Sequence, residues 1–256
     1  MTGPDVPLTF KLAYVPGVTP SKWVRIWNER SPGVPLELVQ TSPADAATLA
    51  RDGEVDAVLL RLPIDRTGLH AIPLYTETTV VVVPKDHLVA AADEVSVDDL
   101  ADDIVLHPLD DTLDWAELPG KPALERPATT ADAVELVAAG VGLLVVPQSL
   151  ARLHHRRDLT FRPVSGAPES GVALSWPEDE TTDLMEQFIG VVRGRTVNST
   201  RGRRQTPEKQ TTEKQAPAKR SEAGGRKAQA TGRTQRRGAP KGAPKGGKRG
   251  KPRRRS

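Results

Sequence analysis

No leucine, isoleucine, valine, phenylalanine, tyrosine or tryptophan follows Val197, and that boundary most constrains what this chain can fold into. A segment without large apolar side chains cannot offset the entropy lost on ordering its backbone, so residues 198–256 are expected to form a disordered tail. The same boundary divides the charge. Residues 198–256 carry 20 Lys and Arg against 3 Glu, whereas residues 1–197 carry 16 basic and 30 acidic side chains. The overall charge of +3 therefore conceals a basic tail and an acidic body. The body is rich in Val, Leu, Ala and Ile and is long enough to bury a core.

The 256 residues contain no cysteine, which excludes disulfide staples, thiolate zinc sites and cysteine nucleophiles. Met1-Thr-Gly-Pro-Asp-Val-Pro7 has neither a basic nor an apolar leader region, and no apolar run approaches the ~18–20 residues of a membrane helix. A soluble, cytoplasmic protein with no membrane partner is expected, nucleoid-associated if the tail meets DNA.

Within the body, Leu8 to Tyr14 alternates as a strand does, and Ser21 to Arg30 places Trp23, Ile26 and Trp27 on one helical face. Pro35–Val39 reads as a second strand. Ser42-Pro43 predicts a helix start, a hydroxyl cap followed by proline in the first turn, with the helix running to Arg51 and closed by Gly53. Val55–Leu60 is a buried strand, and this β-α-β-α-β order argues for a mainly parallel sheet flanked by helices. Further strands are expected at Thr78–Val83, Ile104–Leu106, Leu143–Val146, Leu159–Val164 and Gly171–Trp176. Helices are expected from Ser96, from Thr129 or Thr130 to Ala139, from Ser149 to His155, and from Thr182 to Arg193 with Leu184, Phe188 and Val191 inward.

Several of these segments, taken in order, resemble the effector-binding domain of LysR-type transcription regulators. Gly17-Val-Thr-Pro-Ser21 is similar to the family's effector-contacting turn, and Arg30-Ser-Pro-Gly-Val-Pro-Leu-Glu-Leu-Val39 to its second-strand stretch. Leu49-Ala-Arg-Asp-Gly-Glu-Val-Asp-Ala-Val58 resembles the family's L-x-x-G-x-x-D signature, and Val137-Ala-Ala-Gly-Val-Gly-Leu-Leu-Val-Val-Pro147 its V-A-x-G-x-G segment. Leu69–Leu74, Val80–His87 and Ser96–Ala101 follow in the family's order. The resemblance implies an α/β, two-lobed, periplasmic-binding-protein-like fold of the second type over residues 6–195. Lobe one would comprise about 6–79 plus 168–195, and lobe two about 80–167. Two departures stand out. The sequence begins where the effector domain begins, without the winged helix-turn-helix, and Pro108 to Thr129 is short, so lobe two's first helix is expected to be truncated.

Folds of this kind hold ligands at strand carboxyl ends, where helix amino-ends offer free N–H donors. Thr19 and Ser21 lie in such a turn, as helix caps or as ligand-contacting hydroxyls. Arg61 and Leu62 end a strand, with Arg61 either gripping a ligand carboxylate or solvated in a loop. Thr129 and Thr130 begin a helix, where capping competes with ligand contact. Pro108 and Asp110 end another strand, and the resemblance adds Val146. Asp110 and Asp111 would repel an anion unless Arg61 offsets them, which leaves ligand charge open. As a general acid–base pair they lack a partner at recognisable spacing.

Gly140-Val-Gly142 follows a helix and enters a strand, the reverse of a dinucleotide site, and reads as a turn. His154-His155 lack metal-ligand spacing. No P-loop, H-E-x-x-H or G-x-S-x-G occurs, so neither an enzyme, a cofactor nor a bound metal is expected. In the tail, Lys241, Lys245, Lys248, Arg249, Lys251, Arg253, Arg254 and Arg255 are interspersed with Gly, Ala and Pro, resembling the tails of bacterial histone-like proteins. Such charge attracts DNA or RNA phosphates without reading sequence, or serves as a solubilising linker. The expectation is a metabolite sensor in transcription regulation. The rivals are a degenerate effector domain that pairs with a full-length LysR-type regulator, a homodimer, or an enzyme on a related two-lobed fold.

Overall fold

A computed structural model describes residues 8–179 and 181–195. The first sheet begins where the alternating apolar side chains of β1 (Phe10–Tyr14) meet two parallel neighbours, β2 (Leu36–Gln40) and β3 (Ala57–Leu62). Helices α1 (Ser21–Arg30) and α2 (Ala46–Arg51) make the crossovers. Two strands from farther along the chain, β4 (Leu69–Glu77) and β11 (Ser170–Pro177), extend the sheet antiparallel, in the order β2-β1-β3-β11-β4.

The second sheet is built from β5 (Thr79–Pro84), β6 (Val95–Ser96), β7 (Ile104–Leu106), β8 (Lys121–Pro122), β9 (Leu143–Pro147) and β10 (Leu159–Ser165), in the order β6-β10-β5-β9-β7-β8. Strands β5 and β9 are apolar at nearly every position because both faces of the sheet are covered. Val80, Val82, Leu144 and Val146 pack against α3 (Thr130–Ala138) and α4 (Gln148–Leu153). Val81, Val83, Leu143 and Val145 face the other way, onto Val89, Leu100 and Leu113. In the first lobe the last helix, α5 (Asp183–Val192), brings Phe188 against Phe10 and Trp27, ring centroids 4.9 and 5.7 Å away.

Two adjacent segments join the lobes. The chain leaves the first sheet between Glu77 and Thr79 and returns between Ser165 and Ser170. Thr79 Oγ1 donates to the Pro168 carbonyl across the pair.

Four local readings change. Strand β4 escapes pattern reading because Pro73 interrupts it; it sits at the sheet edge, where a missing N–H is tolerated, beside a bulge opposite Val172 and Ala173. The helix predicted from Ser42 starts at Ala46. Ser42 instead caps the preceding turn, its Oγ accepting from Asp45 N at 3.1 Å and donating to the Asp45 carboxylate at 2.6 Å. The segment after Ser96 is a 3-10 turn, Asp98–Leu100, with the serine cap in place through Asp99 N at 3.2 Å. In α5, Met185 is buried with Phe188 and Val191, while Leu184 is half-buried. Residues 107–129 hold no α-helix, as the short spacing implied.

Candidate ligand-binding cleft

Between the sheets lies a cavity of about 530 Å³. Its first wall is Ser42-Pro43-Ala44 after β2 and Arg61 to Ile64 at the end of β3; its second is the loop Leu109–Asp114 after β7, with Ala128 before α3. All three strands present carboxyl ends, the position where open α/β sheets receive ligands.

Each wall is fixed by its own chemistry. Arg126 donates from Nε to the His107 carbonyl at 2.9 Å and from Nη2 to the Pro108 carbonyl at 2.8 Å, which holds the β7 end. Asp111 accepts from Leu113 N at 3.0 Å and pairs with His107 Nδ1 at 3.1 Å. His107 stands edge-on to Trp115, centroids 6.5 Å apart. The side chain that pairs with Asp111 is thus His107, four residues upstream in the same loop. Burial holds the His107 imidazole below its ordinary value of 6.5, with Arg126 acting in the same direction and Asp111 opposing. Burial likewise raises the Asp111 carboxyl, while the Leu113 N–H and His107 oppose.

Thr129 caps α3, its Oγ1 accepting from Asp132 N at 3.1 Å. Thr130, 3% exposed, donates to Asp110 Oδ1 at 2.9 Å. Two of the protein's own carboxylates, Asp110 and Asp132, therefore hold the hydroxyls at this helix amino-end.

Arg61 is neither solvated nor presented alone. Its side chain is 3% exposed, and Nη2 meets Glu77 Oε2 at 3.1 Å and Ser149 Oγ at 2.9 Å, while Nη1 meets the Pro16 carbonyl at 2.7 Å. Nε has no partner among the described residues. One guanidinium thus ties the β1–α1 turn and β4 of the first lobe to α4 of the second. Gly17, at φ +84°, lets that turn close on α4: a Cβ there would lie 2.6 Å from Ser149 Oγ.

The cleft gathers Arg61, Leu62 and Asp110, with Thr130 behind Asp110, and leaves other expected residues elsewhere. Thr19 and Ser21 line a separate groove of about 630 Å³ between α1 and the β1–β2 edge, beside Tyr14, Val24 and Leu38. Neither hydroxyl caps α1, whose N-cap is Pro20 without a side-chain bond. The turn packs its glycine against the second lobe, and the two hydroxyl residues line the α1 groove. Pro108 is buried beneath the loop, and Val146, 1% exposed, belongs to the second core. Ser42, Pro43, Ile64 and Asp114 were not anticipated. Ser42-Pro43 directly follows a strand, and that position was the available signal. The tail residues lie outside the described segment.

Titration of His107 is expected to show in stability. Unfolded, the imidazole takes its proton near 6.5; folded, it does so at lower pH. Between those values the unfolded chain binds more protons, so stability falls as pH drops through that window and levels off below it. Chemical denaturation of wild type and His107→Asn across pH 5 to 7 measures this. Equal slopes in the two proteins would contradict it.

Among the described residues no helix is long and apolar enough to cross a membrane, and no His, Cys, Asp and Glu cluster could hold a metal. A relative named probable hydrogen peroxide-inducible genes activator, from Mycobacterium avium, is 32% identical over 166 residues, covering 61% of this chain and 53% of that protein. The Hca operon transcriptional activator HcaR of Escherichia coli strain K12 is 25% identical over 191 residues, covering 70% of this chain and 64% of its own. The chain thus spans about half to two thirds of the length of these curated relatives. The effector-binding domain of BenM, solved with its effector benzoate, superposes with a TM-score of 0.63 at 19% identity, covering 74% of this chain and 92% of that one. Oxidised OxyR superposes with a TM-score of 0.60 at 20% identity, covering 72% of this chain and 92% of its own. These likenesses fix a shared two-lobed fold. The sequence profile described as the LysR substrate binding domain matches residues 9–196, and the chain belongs to that family.

Proposed function

We propose that the body of this chain is a non-enzymatic, cytoplasmic effector-sensing module in transcription regulation, capturing a small metabolite between its two sheets. The observation that carries this reading is the cleft itself, about 530 Å³ and walled by strand carboxyl ends from both lobes. Relatives named as regulators support the setting. Ligand acts on such a fold only by favouring one lobe arrangement over another. A metabolite screen by thermal shift tests the reading, since a ligand at 100 times its dissociation constant stabilises by about 2.7 kcal/mol. Ile64→Arg fills the cleft and is expected to abolish the shift. A ligand that stabilises that variant equally well binds elsewhere, and the reading fails.

The groove beside α1 supports a second reading, pairing with a copy of itself or with a full-length regulator. Its lining includes Val24 and the exposed Leu38, and sedimentation of the chain alone and mixed with such a regulator decides it.

The basic tail complements the sensor by gathering nucleic-acid phosphates through counterion release. Weak binding to DNA of any sequence is expected, falling about 10³-fold or more between 50 and 200 mM salt if six or more phosphates are neutralised. Deletion of residues 198–256 is expected to remove it; unchanged binding would refute the role.

A further inference from the structure

We infer that the cleft selects an organic cation with an apolar body and rejects carboxylates. This rests on the cleft reading above and deepens it. Asp110, Asp111 and Asp114 all line the second wall, and Arg61 is the single cation in the lining. That cation is already matched by Glu77 at 3.1 Å, both side chains at most 9% exposed. It offers a ligand no unspent charge.

The three carboxylates are not equally committed. Asp111 has one oxygen on Leu113 N and the other on His107. Asp110 has one oxygen on Thr130, and Asp114 is exposed, its carboxylate without a side-chain hydrogen bond among the described residues. The other nearby cation, exposed Arg126, has Nε and Nη2 engaged with main-chain carbonyls and does not line the cavity. The amino-end of α3 attracts anions, but Asp110 and Asp132 hold its hydroxyls. A ligand carboxylate would meet like charge at each of these points, whereas an ammonium would meet acceptors.

The opposite wall defines the rest of the ligand. Leu62, Pro63 and Ile64 make that wall apolar. A metal ion does not fit, because no three potential ligands converge among the described residues.

Three matched probes test this on the full chain: phenylalaninamide, 3-phenylpropanamide and 3-phenylpropanoate. The first two differ by an ammonium, the last two by amide against carboxylate. Calorimetry is expected to rank phenylalaninamide at least tenfold tighter than the neutral amide, with the carboxylate weakest. Asp110→Asn with Asp114→Asn, which leaves Asp111 in place, is expected to shrink the advantage of phenylalaninamide over the neutral amide, and an undiminished advantage would overturn the inference. Equal or tighter binding of 3-phenylpropanoate, or no binding of phenylalaninamide, overturns the inference. Binding of any probe that survives Ile64→Arg counts instead against the cleft as the site.

Discussion

Arg61→Ala is expected to destabilise the body by about 3–5 kcal/mol, read as a lowered urea midpoint at unchanged slope. The loss is large because the partners stay behind. Glu77 keeps a carboxylate in a site 9% exposed, and the Pro16 carbonyl and Ser149 hydroxyl each lose a donor. Removing one member of a buried pair leaves a charge that neither water nor protein neutralises. Replacing both, as Arg61→Met with Glu77→Leu, removes that penalty and is expected to recover most of the loss. Arg61→Lys falls between, since one ammonium cannot serve three acceptors with the geometry of a planar fork. A single-variant loss below about 1 kcal/mol would show that the pair is solvated rather than buried. Because the guanidinium joins both lobes, the alanine variant also tests whether they unfold together. Two separate transitions would mean that this contact couples them.

Much of this architecture is legible in the residues, for identifiable reasons. Strands buried on both faces, such as Val80–Val83 and Leu143–Val146, announce themselves as apolar runs between turn residues. Hydroxyl caps at Thr129 and Thr182 mark the starts of α3 and α5 correctly because the bond they make is local. The cleft is harder to read, since its properties arise from contacts distant in sequence. Arg61 looks equally like a ligand anchor or a loop charge until Ser149, 88 positions away, is seen to bond it. Thr19 and Ser21 sit in the turn that resembles the family's motif, yet they line the groove beside α1 and not the cleft. Residues 107–129 have no periodicity to follow; the His107–Asp111 pair and Arg126, which reaches back 19 residues to the His107 carbonyl, shape that wall without a helix or strand period to announce them.

Trp27→Ala is expected to cost about 3–5 kcal/mol, the range for deleting a large buried aromatic ring. Trp27 is wholly buried, its ring centroid 4.9 Å from Phe10 and 5.7 Å from Phe188, and its Nε1 donates to the Val34 carbonyl at 2.9 Å. The indole therefore joins three elements: α1, which carries it, β1 beneath it, and α5, which returns after the second lobe. Its bond to Val34 also fixes the turn into β2. Trp27→Phe separates these contributions, keeping most of the aromatic contact while leaving the Val34 carbonyl without a donor, at a net cost of about 1 kcal/mol for the bond plus a smaller packing defect. Trp23, on the same helical face but half-buried, serves as the comparison, and its alanine variant is expected to lose less than half as much. Hydrogen exchange locates the damage: amides of α5 should exchange faster in Trp27→Ala while those of α3, in the other lobe, keep their protection relative to global stability. Matching losses from Trp23→Ala and Trp27→Ala would mean that α1 is held by its whole apolar face rather than by this one ring.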